Sequence, residues 1–85
     1  MYQRQVVIAA PHGIHTRPAA VLVKQAQQYQ ADINILCNGQ TANGKSLFRL
    51  QMLNLCHGCE VTVAADGVDA EQAVNELIAL LQTLS

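Results

Sequence analysis

The chain has 85 residues, 51% hydrophobic and 13% charged, with five Lys+Arg against six Asp+Glu for a formal net charge of −1. This length suits one domain over residues 1–85; the apolar content is too high for a disordered tail, and no apolar run reaches the roughly 18–20 residues that cross a membrane. The near-neutral balance gives no reason to expect nucleic acid as partner, the first residues lack the pattern of a signal peptide, and three cysteines argue for a reduced, cytoplasmic setting over a secreted disulfide framework.

Tyr2, Val6 and Ile8 alternate with Gln3 and Gln5, which predicts a half-buried strand from Tyr2 to Ala9. Pro11-His12-Gly13 breaks it. Pro18 then stands where a first helical turn tolerates proline, and Ala19, Leu22, Val23 and Ala26 follow at helical spacing, so a helix is expected over about residues 17–28. Its other stripe, Arg17, Ala20, Val21 and Lys24, looks outward. Ile33, Ile35 and Cys37 alternate with Asn34 and Asn38 as a second strand. Asn38-Gly39 is a strong hairpin signal, because both central residues of a type I′ turn need φ > 0. A third strand, about Gln40 to Asn43, returns. Gly44-Lys45-Ser46 leads into a short helix, about Leu47 to Leu53, with Ser46 as N-cap. His57-Gly58 turns the chain, and Val61, Val63 and Ala65 form the inward row of a fourth strand that ends at Asp66-Gly67. Asp69 is expected to cap the last helix with Gln72 completing a capping box, and Ala70, Ala73, Val74, Leu77, Leu81 and Leu84 form that helix's buried stripe. The order βαββαβα belongs to the α+β class: alternating strands leave one sheet face wet, so the helices lie together on the other.

Charge is distributed unevenly. Of the bases Arg4, Arg17, Lys24, Lys45 and Arg49, four fall between residues 17 and 49, where Asp32 is the only acid. The remaining acids follow residue 59, so the first half carries a basic surface and the last third an acidic one.

Two motifs compete for attention and are set aside. Gly39-Gln40-Thr41-Ala42-Asn43-Gly44-Lys45-Ser46 matches the phosphate-binding pattern G-x-x-x-x-G-K-[ST]. The strand before it alternates instead of running continuously apolar, Asn38-Gly39 favours a hairpin where the cradle would begin, and the chain is too short for the βα units such sheets use. Cys56-His57-Gly58-Cys59 is a C-x-x-C, open to redox chemistry or half a zinc site. No second pair exists to complete four ligands, and the plainer reading is two small residues flanking a turn. No metal or cofactor is expected.

Gly13-Ile14-His15-Thr16-Arg17-Pro18-Ala19-Ala20 carries the chemistry. It places a histidine at the start of a helix, where unpaired backbone N–H groups and the helix dipole favour an anion. Arg17 adds a guanidinium fork suited to phosphate oxygens. The helix field holds an imidazole there toward its neutral, nucleophilic form. No carboxylate that could activate water lies nearby in sequence. An anion-binding site and a phosphohistidine site both fit these residues.

This segment resembles the active-site signature of the HPr family, the histidine-containing phosphocarriers of the bacterial phosphotransferase system. Lys45-Ser46-Leu47-Phe48-Arg49-Leu50-Gln51-Met52-Leu53 resembles the family's second signature, around its regulatory serine. The resemblance spans the whole chain and is strongest to HPr of enteric-type bacteria. It implies an open-faced β-sandwich, a four-stranded antiparallel sheet with three helices on one face. It implies that His15 accepts a phosphoryl group on Nδ1 from phospho-enzyme I and passes it to IIA domains of sugar permeases, with Thr16 and Arg17 holding the phosphate. Such a protein is a monomeric carrier, itself a substrate and not an enzyme, with regulatory proteins as further candidate partners. Arg17, Ala20, Val21, Lys24, Leu47, Phe48, Arg49, Gln51 and Met52 match the family's partner surface. Ser46 matches the regulatory serine, although enteric-type relatives usually keep it without the kinase. The alternative is an HPr-like paralogue of a nitrogen-regulatory phosphorelay. Three departures stand out: Gln27 where a base is common, His12 where Asn or Glu is common, and the C-x-x-C pair.

Overall fold

In a computed structural model, which describes residues 1–8, 16–53 and 55–83 and only the backbone of Thr16 and Arg17, the seven expected elements follow in the expected order. They are β1 (Tyr2–Val7), α1 (Thr16–Ala26), β2 (Asp32–Cys37), β3 (Gln40–Asn43), α2 (Leu47–Gln51), β4 (Glu60–Asp66) and α3 (Ala70–Thr83). The strands form one antiparallel sheet in the order β1-β4-β2-β3. Alternation sets the register: Ile33, Ile35 and Cys37 point inward from β2, opposite Ala65, Val63 and Val61 of β4. On the other side of β4, Val6 of β1 pairs with Val61. The β2–β3 hairpin turns on Asn38 and Gly39 at φ 54° and 78°, as a type I′ turn requires.

The helices cover one face of this sheet. Ala19, Leu22, Val23 and Ala26 of α1, Leu50 of α2, and Ala70, Ala73, Val74, Leu77, Ile78 and Leu81 of α3 join the inward strand residues in one buried cluster. Ile78 belongs to the buried stripe although the spacing had not singled it out; Leu84 and Ala9 lie outside the described residues.

Three local expectations need correction. The first concerns helix ends: α1 closes at Ala26 and α2 at Gln51, short of 28 and 53. In both the chain tightens before it leaves. Gln28 and Tyr29 donate to the carbonyls of Gln25 and Ala26, and Met52 and Leu53 to those of Arg49 and Leu50, which are i→i−3 bonds of a last 3₁₀-type turn. The second concerns the capping box, which does not form. The Asp69 carboxylate reaches across the fold to accept from the backbone N–H of Gln30 at 2.9 Å and of Ala31 at 2.8 Å, while Gln72 Nε2 donates to Glu76 Oε2 at 3.1 Å. Two amides in the α1–β2 connection need acceptors, and one carboxylate supplies both oxygens. The third concerns β1, which ends at Val7; Ile8 is still buried and its N–H donates to the Cys59 carbonyl at 2.9 Å.

Candidate functional site

The outward stripe of α1 and the short α2 lie side by side and share one exposed surface. Ala20, Val21 and Lys24 of α1 are exposed, as are Phe48, Arg49, Gln51 and Met52 in and just after α2. Phe48 is 72% exposed, Met52 62% and Val21 46%, so three large apolar side chains share this surface. Leu47 is half-buried and packs against the core. The surface thus has an apolar centre with Lys24 and Arg49 beside it, the anatomy of a docking patch. Arg49 and Met52 also line a shallow groove with Gln40, Thr41 and Leu53.

Local bonds explain why α2 sits where it does. Gly44 packs its backbone on Ile33, with its N–H on the Ile33 carbonyl at 2.8 Å; a Cβ there would meet Ile33 Cγ2 at 2.7 Å. The glycine of the G-K-S run therefore serves close packing beside an antiparallel strand, not a phosphate cradle. Ser46 is extended at φ −119°, ψ 113°, and its Oγ accepts from the Arg49 N–H at 3.4 Å, so it caps α2 as expected, through a long bond.

Lys45 is engaged within the fold. Its Nζ donates to the Tyr29 carbonyl at 2.7 Å, just past the end of α1, where a cation suits the helix's negative end. Gln27 Nε2 donates to the Lys45 carbonyl at 3.1 Å. These two bonds tie the end of α1 to the entry of α2 and hold the two halves of the patch together. Gln27 is the next position on the outward stripe, three residues after Lys24, so helical spacing alone could have placed it on this edge. Arg4 is occupied elsewhere, its Nη1 on Asn75 Oδ1 at 2.8 Å.

Just past the end of α1, Tyr29 donates its hydroxyl to Glu76 Oε1 of α3. Burial first, and then this bond, push the phenol above its ordinary range, while the same bond holds the Glu76 carboxyl below its own.

Thr16 and Arg17 open α1, with side chains outside the described residues; His12 and His15 also lie outside them. The structure thus brings α1's first residue, directly after His15 in sequence, into the same helix as Ala20, Val21 and Lys24.

Comparison with known proteins settles the family. The family model described as "PTS HPr component phosphorylation site" matches residues 2–83. The chain belongs to the HPr family. It is 50% identical over 84 residues to the phosphocarrier protein HPr of Vibrio cholerae and 49% identical over 84 residues to that of Buchnera aphidicola subsp. Baizongia pistaciae, covering 99% of each chain in both cases. Among solved structures, the crystal structure of an HPr from Bacillus anthracis matches with a TM-score of 0.91 at 36% identity, over 95% of this chain and 96% of that one. The open-faced sandwich is therefore the HPr fold, and the chain is an HPr-type phosphocarrier of the phosphotransferase system.

Proposed function

We propose that this chain, one domain over residues 1–85, takes a phosphoryl group from phospho-enzyme I onto His15 and delivers it to the IIA domains of sugar permeases. The observation that carries the reading is continuity: the helix that begins directly after His15 also presents Val21 and Lys24 to the patch formed with Phe48, Arg49 and Met52. A partner seated there is brought next to the helix start.

The chemistry follows from the residue types. The Nδ1 lone pair of neutral His15 attacks phosphorus, and the donor's bond to phosphorus breaks as the N–P bond forms. Delivery to a IIA domain is the same exchange with this chain as donor. The backbone N–H groups of the first turn of α1, Thr16 and the Arg17 guanidinium stabilise the charged oxygens. Phosphoryl transfer is mainly positioning and charge stabilisation, which a carrier without turnover of its own can supply. Ser46 caps α2 in the middle of the partner surface, so a phosphate there regulates docking and leaves His15 untouched. The carrier works as a monomer in the cytoplasm. Among the described residues no helix is long and apolar enough to cross a membrane.

The test is phosphorylation by enzyme I and phosphoenolpyruvate, read by intact mass. The native chain and His12→Ala gain one acid-labile, base-stable phosphoryl group, and His15→Ala gains none. Phosphorylation of His15→Ala overturns the site.

A further inference from the structure

The fold gathers all three cysteines. Cys37 ends β2, while Cys56 and Cys59 bracket the turn before β4, and all three are free thiols. Cys37 pairs across the sheet with Val61, two residues after Cys59, and Cys59 closes a turn with Cys56. Exposure grades outward through the cluster: Cys37 is buried at 2%, Cys59 is half-buried and Cys56 is exposed. A reagent in solution therefore meets the C-x-x-C pair first. Among the described residues no three His, Cys, Asp or Glu side chains are grouped to hold a metal ion.

The backbone already has the shape that a bridge between Cys56 and Cys59 needs. The Cys59 N–H donates to the Cys56 carbonyl at 3.1 Å, closing a four-residue turn with Gly58 as its third residue at φ 84°. Such turns bring their end Cα atoms within about 7 Å, and disulfides span Cα separations of about 4.4–6.8 Å. The positive φ at Gly58 is one that a side chain would resist. The turn is held from outside as well: the Gly58 N–H donates to the Ile8 carbonyl and the Ile8 N–H to the Cys59 carbonyl, both at 2.9 Å, extending the β1–β4 ladder. The pair is thus presented on a fixed frame.

The two thiols are also differentiated. The proximity of the two thiols holds Cys59 below the ordinary cysteine range and raises Cys56. Burial raises Cys37. The pair together places one thiolate, the reactive form, beside one thiol.

We propose that Cys56 and Cys59 form a redox-active dithiol, a modification site that exchanges with small-molecule or protein disulfides and closes reversibly to an intrachain Cys56–Cys59 bond. One thiolate of the pair attacks one sulfur of the incoming disulfide; that S–S bond breaks and one thiolate leaves. The other thiol of the pair then gives up its proton and attacks the cysteine sulfur of the mixed disulfide, expelling the second thiolate. Two cysteine thiols lose two electrons and two protons, and the incoming disulfide is reduced to two thiols. Cys37 takes no part. The site is separate from the phosphoryl chemistry proposed for His15.

The experiment equilibrates the reduced, native full chain with oxidised glutathione, quenches and alkylates the remaining thiols, and maps them after trypsin. Cleavage separates the candidates, because Cys37 lies between Lys24 and Lys45 whereas Cys56 and Cys59 both follow Arg49, the last base in the chain. The expected result is a 50–85 peptide that is two hydrogens lighter and carries no alkyl group, a fully alkylated 25–45 peptide, and reversal by dithiothreitol. Cys37→Ala closes the same bond, and Cys56→Ser stops at a glutathione mixed disulfide on Cys59. The proposal is overturned if native Cys56 and Cys59 both remain alkylatable, if they hold glutathione without closing, or if the 25–45 and 50–85 peptides emerge joined.

Discussion

The Asp69 carboxylate stands at the start of α3 yet spends its two oxygens on Gln30 and Ala31, one connection away. The Gln30 N–H first, and then the Ala31 N–H, hold its carboxyl below the ordinary carboxylate range, and Tyr29 does the same for Glu76. Both groups therefore bind protons less readily folded than unfolded. Their contribution is complete above the unfolded carboxylate range, near pH 4, and is lost as pH falls through the lower folded values. Thermal unfolding followed by circular dichroism is expected to show a melting temperature that falls on acidification below that range. In Asp69→Ala the melting temperature is lower at pH 7 and its decline with acid is shallower. An Asp69→Ala protein with the native acid dependence contradicts the assignment. Reading Asp69 as a helix cap was reasonable from its position, because nothing local shows that two amides thirty-odd residues upstream lack acceptors. The Lys45–Tyr29 bond escapes sequence reasoning for the same reason. Backbone alternation, by contrast, is a local property, and Ile33, Ile35, Cys37, Val61, Val63 and Ala65 all point as their spacing predicts.

At the scale of one element, α2 is the informative case. Five residues do not make a stable helix alone, so its position depends on the buried anchor Leu50, the cap Ser46 and the Gln27–Lys45 link to α1. The cap bond is long, which puts Ser46→Ala near the low end of the usual cost, about 0.5 kcal/mol in a denaturant titration. Ser46→Asp keeps a cap acceptor and adds a negative charge where the helix start favours one, so the protein melts at or above the native temperature. It also sets that charge among Phe48, Arg49 and Met52, and phosphorylation by enzyme I slows severalfold. Native transfer rates in a well-folded Ser46→Asp protein place Ser46 outside the partner surface. The sequence signals for α2 located its start but overran its end, since Met52 and Leu53 continue the apolar spacing while their N–H groups have already shortened to i→i−3 bonds.

Across the whole molecule, net charge is close to zero while Lys24 and Arg49 flank one apolar patch and the acids cluster late in the chain. Local charge of this kind speeds the approach of an oppositely charged partner and is screened by salt. Lys24→Glu and Arg49→Glu are expected to lower the association rate with enzyme I by roughly three- to tenfold at low ionic strength, with the difference narrowing as salt rises. Unchanged rates for both variants show that the basic residues are incidental. Helical spacing makes the exposed stripe Ala20, Val21 and Lys24 readable from the sequence, whereas the Lys45–Tyr29 bond joins two separate elements and has no local signal.

A phosphocarrier accepts a phosphoryl group and hands it on. The direct measurement isolates the chain after labelling with radioactive phosphoenolpyruvate and enzyme I, removes enzyme I, and adds an isolated IIA domain. The label is expected to move to the IIA domain while the chain returns to its unmodified mass, and His15→Ala is expected to transfer nothing. Label that stays on the chain, or appears only as inorganic phosphate, contradicts it.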